Sequence, residues 1–389
     1  MELPSKATHQ ATREHNVRLV LRALANQGPI SRADIARRTQ LTRTTVSDVV
    51  SQLSGAGLVH EVGRGPSSGG KAPILLQIPR DARQLVGVHV GDGHVRGAIV
   101  NLAGDVSHRM RVDLEARDGA SALASLELLI DRLIGHASGV PLGIGIGTPG
   151  IVDTASGTVR WAVHLDWRDM RLGPRLSART GLPVYVANDS QAAALAEWTF
   201  GGHTTASAMV AVRVGAGIGA GIVIADRLYQ GDGSGAGEIG HTMVANNGIR
   251  CRCGRTGCLE TVASVPATLE RVREAMGMSS RPELADALAA CRDGHPGVRA
   301  AVLESALYLG RAVGGLIDTL DIRHIVLIGP MTEFGDAWFD TLREVALRTA
   351  LPLLAEPTRI TLGNLGPDVE ELGAAALLMT SELGLSKAA

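Results

Sequence analysis

The sequence predicts a small helical unit with a β-hairpin, followed by an α/β body built from two similar lobes. Two short helices near the N-terminus each begin with a capping residue and a flanking apolar pair, and from Leu85 onward strand-like and helix-like segments alternate. A glycine-rich segment also occurs twice, because VHVGDGHVRGAIV at 88–100 aligns with VRVGAGIGAGIVI at 212–224. Each copy predicts a strand, a tight glycine turn and a returning strand. We therefore expect a duplicated body with a ligand cleft between its lobes.

The N-terminal helices follow a helix-turn-helix pattern. Apolar residues over 17–24 recur at the spacing of one helix face, and Gly28 is suited to end that helix. Ser31 and Thr42 are the predicted N-caps of the second and third helices. An apolar residue precedes each cap and another follows at the fourth helical position, which pairs Ile30 with Ile35 and Leu41 with Val46. Two such helices joined by a short turn are typical of a helix-turn-helix.

A basic, glycine-rich hairpin follows these helices. Strands are predicted at Leu58–Val62 and Pro73–Ile78, around a loop over 63–71 that carries Arg64 and Lys71. Residues 1–80 have a net charge of +6, whereas the rest of the chain has a net charge of −7. A basic N-terminal segment ahead of an acidic body indicates a nucleic-acid-binding module. The hairpin is then interpreted as a wing that lies against a phosphate backbone.

Double-stranded operator DNA is the macromolecular partner that we expect for this winged helix-turn-helix. Arginine pairs bidentately with guanine in the major groove, while threonine and serine bond to bases or phosphates. The third helix carries such side chains away from its apolar stripe. The predicted DNA-binding residues are Ser31, Arg32, Arg43, Thr44, Thr45, Ser47, Arg64 and Lys71.

Three of the four cysteines lie within eight residues of one another. Cys251, Cys253 and Cys258 follow C-x-C-x4-C spacing with glycines between them, and His241 lies ten residues upstream. Three thiolates and one imidazole form a closed set of the kind that holds structural Zn²⁺. The sequence therefore predicts zinc as the cofactor, whereas the isolated Cys291 is interpreted as an ordinary core residue.

Several segments of the body resemble the ROK family, whose name stands for repressors, open reading frames and kinases. The resemblance is carried by GIGIGTPG at 143–150, PVYVAND at 183–189, GEIGH at 237–241 and the cysteine cluster ending at Glu260. It covers nearly the whole chain, and the N-terminal module is similar to that of the repressor branch. The resemblance implies a duplicated ribonuclease-H-like body, of the actin and hexokinase type. We expect a DNA-binding domain at 1–80, a first lobe at 81–200 and a second lobe with the zinc site at 201–389.

The family resemblance also implies which residues bind a sugar. Asn188 and Asp189 match the sugar-contacting pair, and Asp189 matches the general base of the family's kinases. Glu238, His241 and Glu260 match further contacts to sugar hydroxyls, for which carboxylates are strong acceptors. His164 stands where the family has an asparagine, so it completes the predicted sugar-binding set while leaving the identity of the sugar open. His241 is expected to serve zinc with one ring nitrogen and sugar with the other.

The departures from the family pattern lie on the nucleotide side. Family kinases have Asp-x-Gly-Gly-Thr in the first hairpin, where this chain has His89 and Gly93, and histidine is a poor ligand for Mg²⁺. The threonine of the second hairpin is replaced by Ala216. We therefore expect no catalytic residue, with Asp189 a vestigial general base. The chain is expected to be a sugar-responsive regulator that acts as a repressor of carbohydrate-metabolism genes. Two alternatives stay open: a ROK-type ATP-dependent sugar kinase with an accessory DNA-binding domain, and a DNA-binding protein whose body only mediates self-association.

Composition indicates the cellular setting. No apolar run reaches the roughly 18 residues that span a bilayer, and the first ten residues lack the apolar core of a signal peptide. A cytoplasmic protein without a membrane partner is expected. Because helix-turn-helix regulators read paired half-sites, we also expect a homodimer or homotetramer.

Overall fold

The computed structural model describes residues 8–66, 72–116, 118–203, 206–246 and 248–388. The N-terminal part, called the head below, consists of three helices and a three-stranded sheet ordered β1-β3-β2. Lys71, one of the predicted DNA contacts, lies outside the described residues. The head elements are α1 (His9–Gln27), β1 (Ile30–Ser31), α2 (Arg32–Thr39), α3 (Arg43–Gly55), β2 (His60–Arg64) and β3 (Ile74–Gln77).

The helix starts of the head lie where the caps predict them. The Ser31 side chain accepts from the backbone N–H of Asp34, whose carboxylate accepts in return from the Ser31 backbone, and Thr42 caps α3 through Thr45. The turn between them places Gln40 in the left-handed region at φ 58°. The first wing strand starts at His60 instead of the predicted Leu58, because the N–H of Leu58 bonds back to the carbonyl of Leu53 and closes the last turn of α3.

The first lobe contains a five-stranded sheet ordered β6-β5-β4-β7-β11. The strands β4, β5 and β6 form two consecutive antiparallel hairpins, and β4, β7 and β11 are parallel. A small antiparallel sheet, β8-β9-β10, is inserted between β7 and α5. The elements are β4 (Gln84–Val90), β5 (His94–Asn101), β6 (Val106–Asp113), α4 (Gly119–His136), β7 (Ile144–Thr148), β8 (Ile151–Asp153), β9 (Thr158–Ala162), β10 (Trp167–Met170), α5 (Leu172–Thr180), β11 (Val184–Asn188) and α6 (Asp189–Phe200).

The second lobe repeats the sheet topology of the first. Its strand order is β14-β13-β12-β15-β16, again with two antiparallel hairpins followed by two parallel neighbours. The duplication predicted from the two glycine-rich hairpins is confirmed, because β4–β5 and β12–β13 occupy equivalent positions. The elements are β12 (Ala208–Val214), β13 (Ile218–Ile224), β14 (Arg227–Tyr229), α7 (Glu260–Ala263), α8 (Val265–Ala275), α9 (Leu284–Arg292), α10 (Pro296–Leu320), β15 (His324–Ile328), α11 (Asp336–Thr349), α12 (Pro352–Ala355), β16 (Arg359–Leu362) and α13 (Val369–Leu378).

One described helix, α10, is long and apolar enough by length and composition to cross a membrane. It packs against α8 and α11, and the residues of its inner face belong to the core of the second lobe. This position in the core of the second lobe accounts for the apolar composition of α10.

Helices α6 and α13 lie between the two sheets. α6 packs on β12 and β13 of the second sheet, whereas α13 packs on β4, β7 and β11 of the first. A Cβ atom at Gly145 would overlap the backbone of Ala374, and one at Gly373 would overlap the backbone of Ala192. Gly145 therefore lets α13 approach the first sheet closely, and Gly373 lets it approach α6. The last helix thus packs on the sheet of the first lobe, although it follows the second lobe in sequence and lies within the range 201–389 expected for that lobe.

The chain end, called the tail below and comprising residues 379–388, joins the head to the body. The predicted helix over 370–383 ends as an α-helix at Leu378 and continues as a π-helical turn, Met379–Leu383. Buried Leu383 and Leu385 belong to the same apolar cluster as Val20 and Leu24 of α1. The head is therefore packed on the body through the tail and is not a separately tethered domain.

Candidate functional site

His241 and the three clustered cysteines converge as the spacing predicts. Their ligand atoms all lie within 4.8 Å of one another. The Sγ atoms of Cys253 and Cys258 are 3.7 Å apart, and Cys251 Sγ lies 3.5 Å from His241 Nδ1. Two thiolates on one tetrahedral zinc with Zn–S bonds of about 2.3 Å would be about 3.8 Å apart. The donor set and its separations fit a structural zinc ion.

His241 connects this cluster to a group of carboxylates. Its Nε2 atom lies 3.7 Å from Glu238 Oε2, on the side opposite the cysteines. Burial, together with the negative charges of Asp189 and Glu260, raises the pKa of Glu238 to about 7. The structure thus brings the predicted sugar-binding acids together from β11–α6, from the 3₁₀ turn at Ile239–His241 and from α7.

Glu260 lies over the glycine turn of the second hairpin. Its Oε2 atom is 3.4 Å from the backbone nitrogen of Ile218, and a Cβ atom at Gly217 would lie 2.8 Å from the same oxygen. His164 belongs to the first lobe and approaches the carboxylates from there. Its Nδ1 atom contacts the guanidinium of Arg252, which lies in the cysteine loop. Burial and then the charge of Arg252 lower the pKa of His164. Arg252 was not identified from the sequence as a neighbour of the predicted sugar-binding residues.

Asn188 has a different surrounding from the other members of the predicted set. Its Oδ1 atom accepts from the backbone N–H groups of Ser190 and Gln191, and its Nδ2 donates to the carbonyl of Gly150 at 2.9 Å. The side chain is therefore the N-cap of α6. It fixes the junction from which Asp189 lies near Glu238.

The predicted DNA-binding residues divide into an exposed group and a bonded group. Arg43, Thr44 and Ser47 on α3 and Arg64 at the end of β2 are exposed. The hydroxyl of Ser31 is bonded to Asp34 in a residue only 4% exposed, so in this structure it caps α2. Two others have partners within the head: Arg32 lies 3.5 Å from Glu61, and Thr45 bonds to Thr42.

Comparisons with known proteins agree with this architecture. The model of the ROK family matches residues 85–381, and that of the MarR family matches residues 16–67. The chain belongs to the ROK family. It is 31% identical to the xylose repressor of Caldicellulosiruptor bescii over 390 aligned positions, which cover 96% of this chain and 98% of that one.

Solved structures of ROK proteins superpose on both parts of the chain. A ROK family transcriptional regulator, a homolog of the Escherichia coli MLC protein, matches with a TM-score of 0.85 and 27% identity, over 96% of this chain and 98% of that one. A ROK family glucokinase from Streptomyces griseus, in complex with glucose and AMPPNP, matches with a TM-score of 0.68 and 26% identity, over 76% of this chain and 98% of that one. The kinase match thus leaves a larger part of the chain uncovered.

The first of the departures expected on the nucleotide side, His89, is a buried residue in the structure. His89 lies on β4 and is 4% exposed, and neither of its ring nitrogens has a hydrogen-bond partner among the described residues. Burial lowers its pKa to about 4, so the ring is neutral at pH 7. A neutral imidazole here supplies neither the charge nor the oxygen ligands that Mg²⁺ prefers.

Arg213 is a buried cation beside the site, and the sequence analysis missed it. It lies on β12, where its guanidinium is 3.3 Å from Asp189 Oδ2 and 2.9 Å from Glu370 Oε1. Although burial alone would raise the pKa of Glu370, the positive charge of Arg213 holds it at about 2. The available signal was one charged residue in the otherwise apolar strand AMVAVRV.

Proposed function

We propose that this ROK protein is a sugar-responsive transcription regulator, acting as a repressor of carbohydrate-metabolism genes. The observation that carries the proposal is the pairing of a winged helix-turn-helix with a ROK body in which the would-be general base is bonded to an internal arginine. The similarity to a xylose repressor over nearly the full length of both chains supports the same conclusion. We further propose a cytoplasmic homodimer or homotetramer, since paired half-sites require two heads.

The proposed sugar site comprises Asp189, Glu238, His241, Glu260 and His164, with Asn188 as the residue that orients Asp189. Carboxylates that face a partly dry cleft are strong acceptors for sugar hydroxyls. Zinc held by His241 and the three cysteines would fix the loop from which His241 and Glu238 reach the cleft. The ion would supply rigidity, because these four residues are enough to fill every position of a tetrahedral zinc ion.

A melting-temperature screen tests the sugar-binding part of the proposal. D-xylose, D-glucose and N-acetyl-D-glucosamine should be compared first, together with their phosphates. A sugar at about 100 times its Kd stabilises the folded chain by roughly 2.7 kcal/mol. Operator titrations with and without the sugar that gives the largest shift then test the regulatory part. An operator affinity that is identical at saturating sugar would contradict the proposed function.

Substitution of Arg43 should change which DNA sequences the protein prefers. Arg43 is exposed near the start of α3, and a bidentate contact to guanine is worth about 1–3 kcal/mol. We expect Arg43→Ala to weaken binding to the selected operator by that amount and to relax the base preference at one position. Binding to a duplex library, followed by sequencing, measures both effects.

Substitution of Arg64 serves as the comparison, because a wing contact to phosphate carries no base information. Arg64→Ala should weaken binding to all duplexes alike and reduce the slope of log K against log salt by about 1. Arg343→Ala on α11 of the body is the control and should leave both quantities unchanged. If Arg43→Ala retained the wild-type base preference, α3 would not be the recognition helix.

Phosphoryl transfer should be absent or very slow. Asp189 is bonded to Arg213, and His89 replaces the acidic residue of the kinases, so the base is engaged and the metal is poorly held. General-base catalysis contributes about 10²–10⁴-fold only when the reacting groups are in place. Incubation with ATP, Mg²⁺ and each sugar of the screen should yield no sugar phosphate above a no-protein control. Robust turnover would favour the kinase alternative.

A further inference from the structure

Arg213 lies where the two layers of the body meet. Its strand, β12, belongs to the second sheet, on which α6 packs, whereas Glu370 begins α13, which packs on the first sheet. The side chains of Arg213 and Glu370 are only 12% and 9% exposed. One guanidinium thus bonds to Asp189 at the start of α6 and to Glu370 at the start of α13.

The two bonds made by Arg213 are unequal. Nε and Nη2 both reach Glu370 Oε1, at 3.2 and 2.9 Å, while Nη1 reaches Asp189 Oδ2 at 3.3 Å. The other oxygen of Asp189 already accepts from the backbone N–H and the hydroxyl of Ser190. A sugar hydroxyl that donates to Asp189 must therefore share the oxygen that faces Arg213. The longer of the two arginine contacts is therefore the one that such a hydroxyl would weaken.

Beyond Glu370, α13 leads directly to the head. The π-helical turn that follows it presents the carbonyl of Ser381 to Arg18 at 3.3 Å, and the carbonyl of Gly384 accepts from Arg22 at 2.7 Å. Both arginines lie on α1 of the head. α13 and the tail therefore form one continuous segment from Glu370 to the DNA-binding unit.

We propose that Arg213 is the positioning residue that couples sugar at Asp189 to the DNA-binding head, by exchanging its contacts between Asp189 and Glu370. This inference rests on the proposed function, since it names the route by which the sugar site regulates the head. When a sugar hydroxyl bonds to Oδ2 of Asp189, Arg213 loses that contact and binds Glu370 alone. Helix α13 then shifts against α6 in the shear motion that packed helices permit. The tail carries that shift to α1.

Arg213→Lys is the direct test. Lysine keeps a buried positive charge, but one ammonium group cannot reproduce the planar fork that reaches both carboxylates at once. The probe sugar is whichever of D-xylose, D-glucose and N-acetyl-D-glucosamine gives the largest melting shift, and the DNA is a duplex that the wild-type chain selects from a random library. Calorimetry and DNA titration give the two affinities separately. The operator Kd with and without sugar then gives the coupling ratio, which is typically about 5–150-fold in coupled systems.

We expect Arg213→Lys to bind sugar alone and DNA alone with affinities within about tenfold of wild type, while its coupling ratio falls below about twofold. A residue that only maintains the fold would instead change the two affinities themselves. A wild-type ratio in Arg213→Lys would overturn the inference. If this variant melts early, Arg18→Ala/Arg22→Ala decides, because those side chains lie at the surface end of the same route. Arg13→Ala is its matched control, as Arg13 is on the same helix but bonds to Gln52 within the head.

The double variant should also lose the ratio, and Arg13→Ala should keep it. Retention of the wild-type ratio by the double variant would exclude the tail as the route and overturn the inference. Failure of the proposed function has a different signature, because the wild-type chain itself would then show no difference in operator affinity with any of the three sugars. In that case the inference falls with the function on which it rests.

Discussion

Cys253→Ser should release the zinc ion and weaken the sugar site in the same step. The cysteine loop pairs through the isolated β-bridges Met243–Cys258 and Arg250–Thr256, and its irregular backbone turns at Gly254 and Gly257, both at positive φ. Structural zinc in small peptides contributes about 10–16 kcal/mol of apparent binding energy, so loss of one ligand is a large perturbation. Because His241 faces Glu238 across 3.7 Å, disorder of the loop reaches the carboxylates directly. We expect sugar affinity to fall by at least about tenfold.

Metal analysis and sugar calorimetry on reduced protein measure both effects. Wild-type protein should contain about one zinc per chain, and Cys253→Ser only a small fraction of that. Cys291→Ser is the matched control, because Cys291 lies on α9, outside the His241–Cys258 cluster. It should keep both the zinc and the sugar affinity. Wild-type protein without zinc, or a zinc-free variant with unchanged sugar affinity, would contradict the structural role of the metal.

The features that sequence could predict are those encoded over short distances. A helix cap such as Ser31 or Thr42 acts within one turn, and the cysteine spacing brings three ligands together within a single loop. The duplicated sheet was also predictable, because each glycine-rich hairpin repeats a local pattern. Family resemblance then supplied the proposed sugar-binding acids, which no spacing in this chain would have selected.

The remainder depends on contacts between distant parts of the chain. Arg213 and Glu370 are 157 residues apart, and Arg18 and Ser381 are 363 residues apart. Neither pair has a local signature beyond a charge in an apolar strand or a helix. The hydrogen bond from Asn188 to the carbonyl of Gly150 likewise forms only when β7 and β11 are neighbours in the folded chain. Burial and partner choice, which decide whether a polar residue can bind a ligand, follow from tertiary packing.

Arg213→Met should destabilise the body more than substitution of an exposed arginine. Removing one member of a buried ion pair leaves the partner charge without compensation, which costs about 3–5 kcal/mol. Here Asp189 and Glu370 would both lose their shared cation, although Arg96 still lies 3.0 Å from Glu370. Arg343→Met is the matched control, since Arg343 pairs with Asp340 at the surface of α11 and such pairs contribute about 0–1 kcal/mol.

The cost of Arg213→Met should also depend on pH. In the wild-type chain the pKa of Glu370 is about 2, below its ordinary value of 4.5, so the ionised carboxylate stabilises the fold above pH 4.5 and this contribution is lost as the pH falls towards 2. Without Arg213 the folded chain favours the protonated acid. The difference in unfolding free energy between wild type and variant should therefore be largest near neutral pH and shrink below about pH 4.5.

Denaturant unfolding followed by tryptophan fluorescence, repeated at several pH values, measures this difference. Arg213→Met/Glu370→Gln should recover part of the stability at neutral pH, because it removes one of the two carboxylates left without a partner. A loss below about 1 kcal/mol in the single variant would place it within the range of surface substitutions. The carboxylates would then be solvated in solution, and Arg213 would not hold the two layers together.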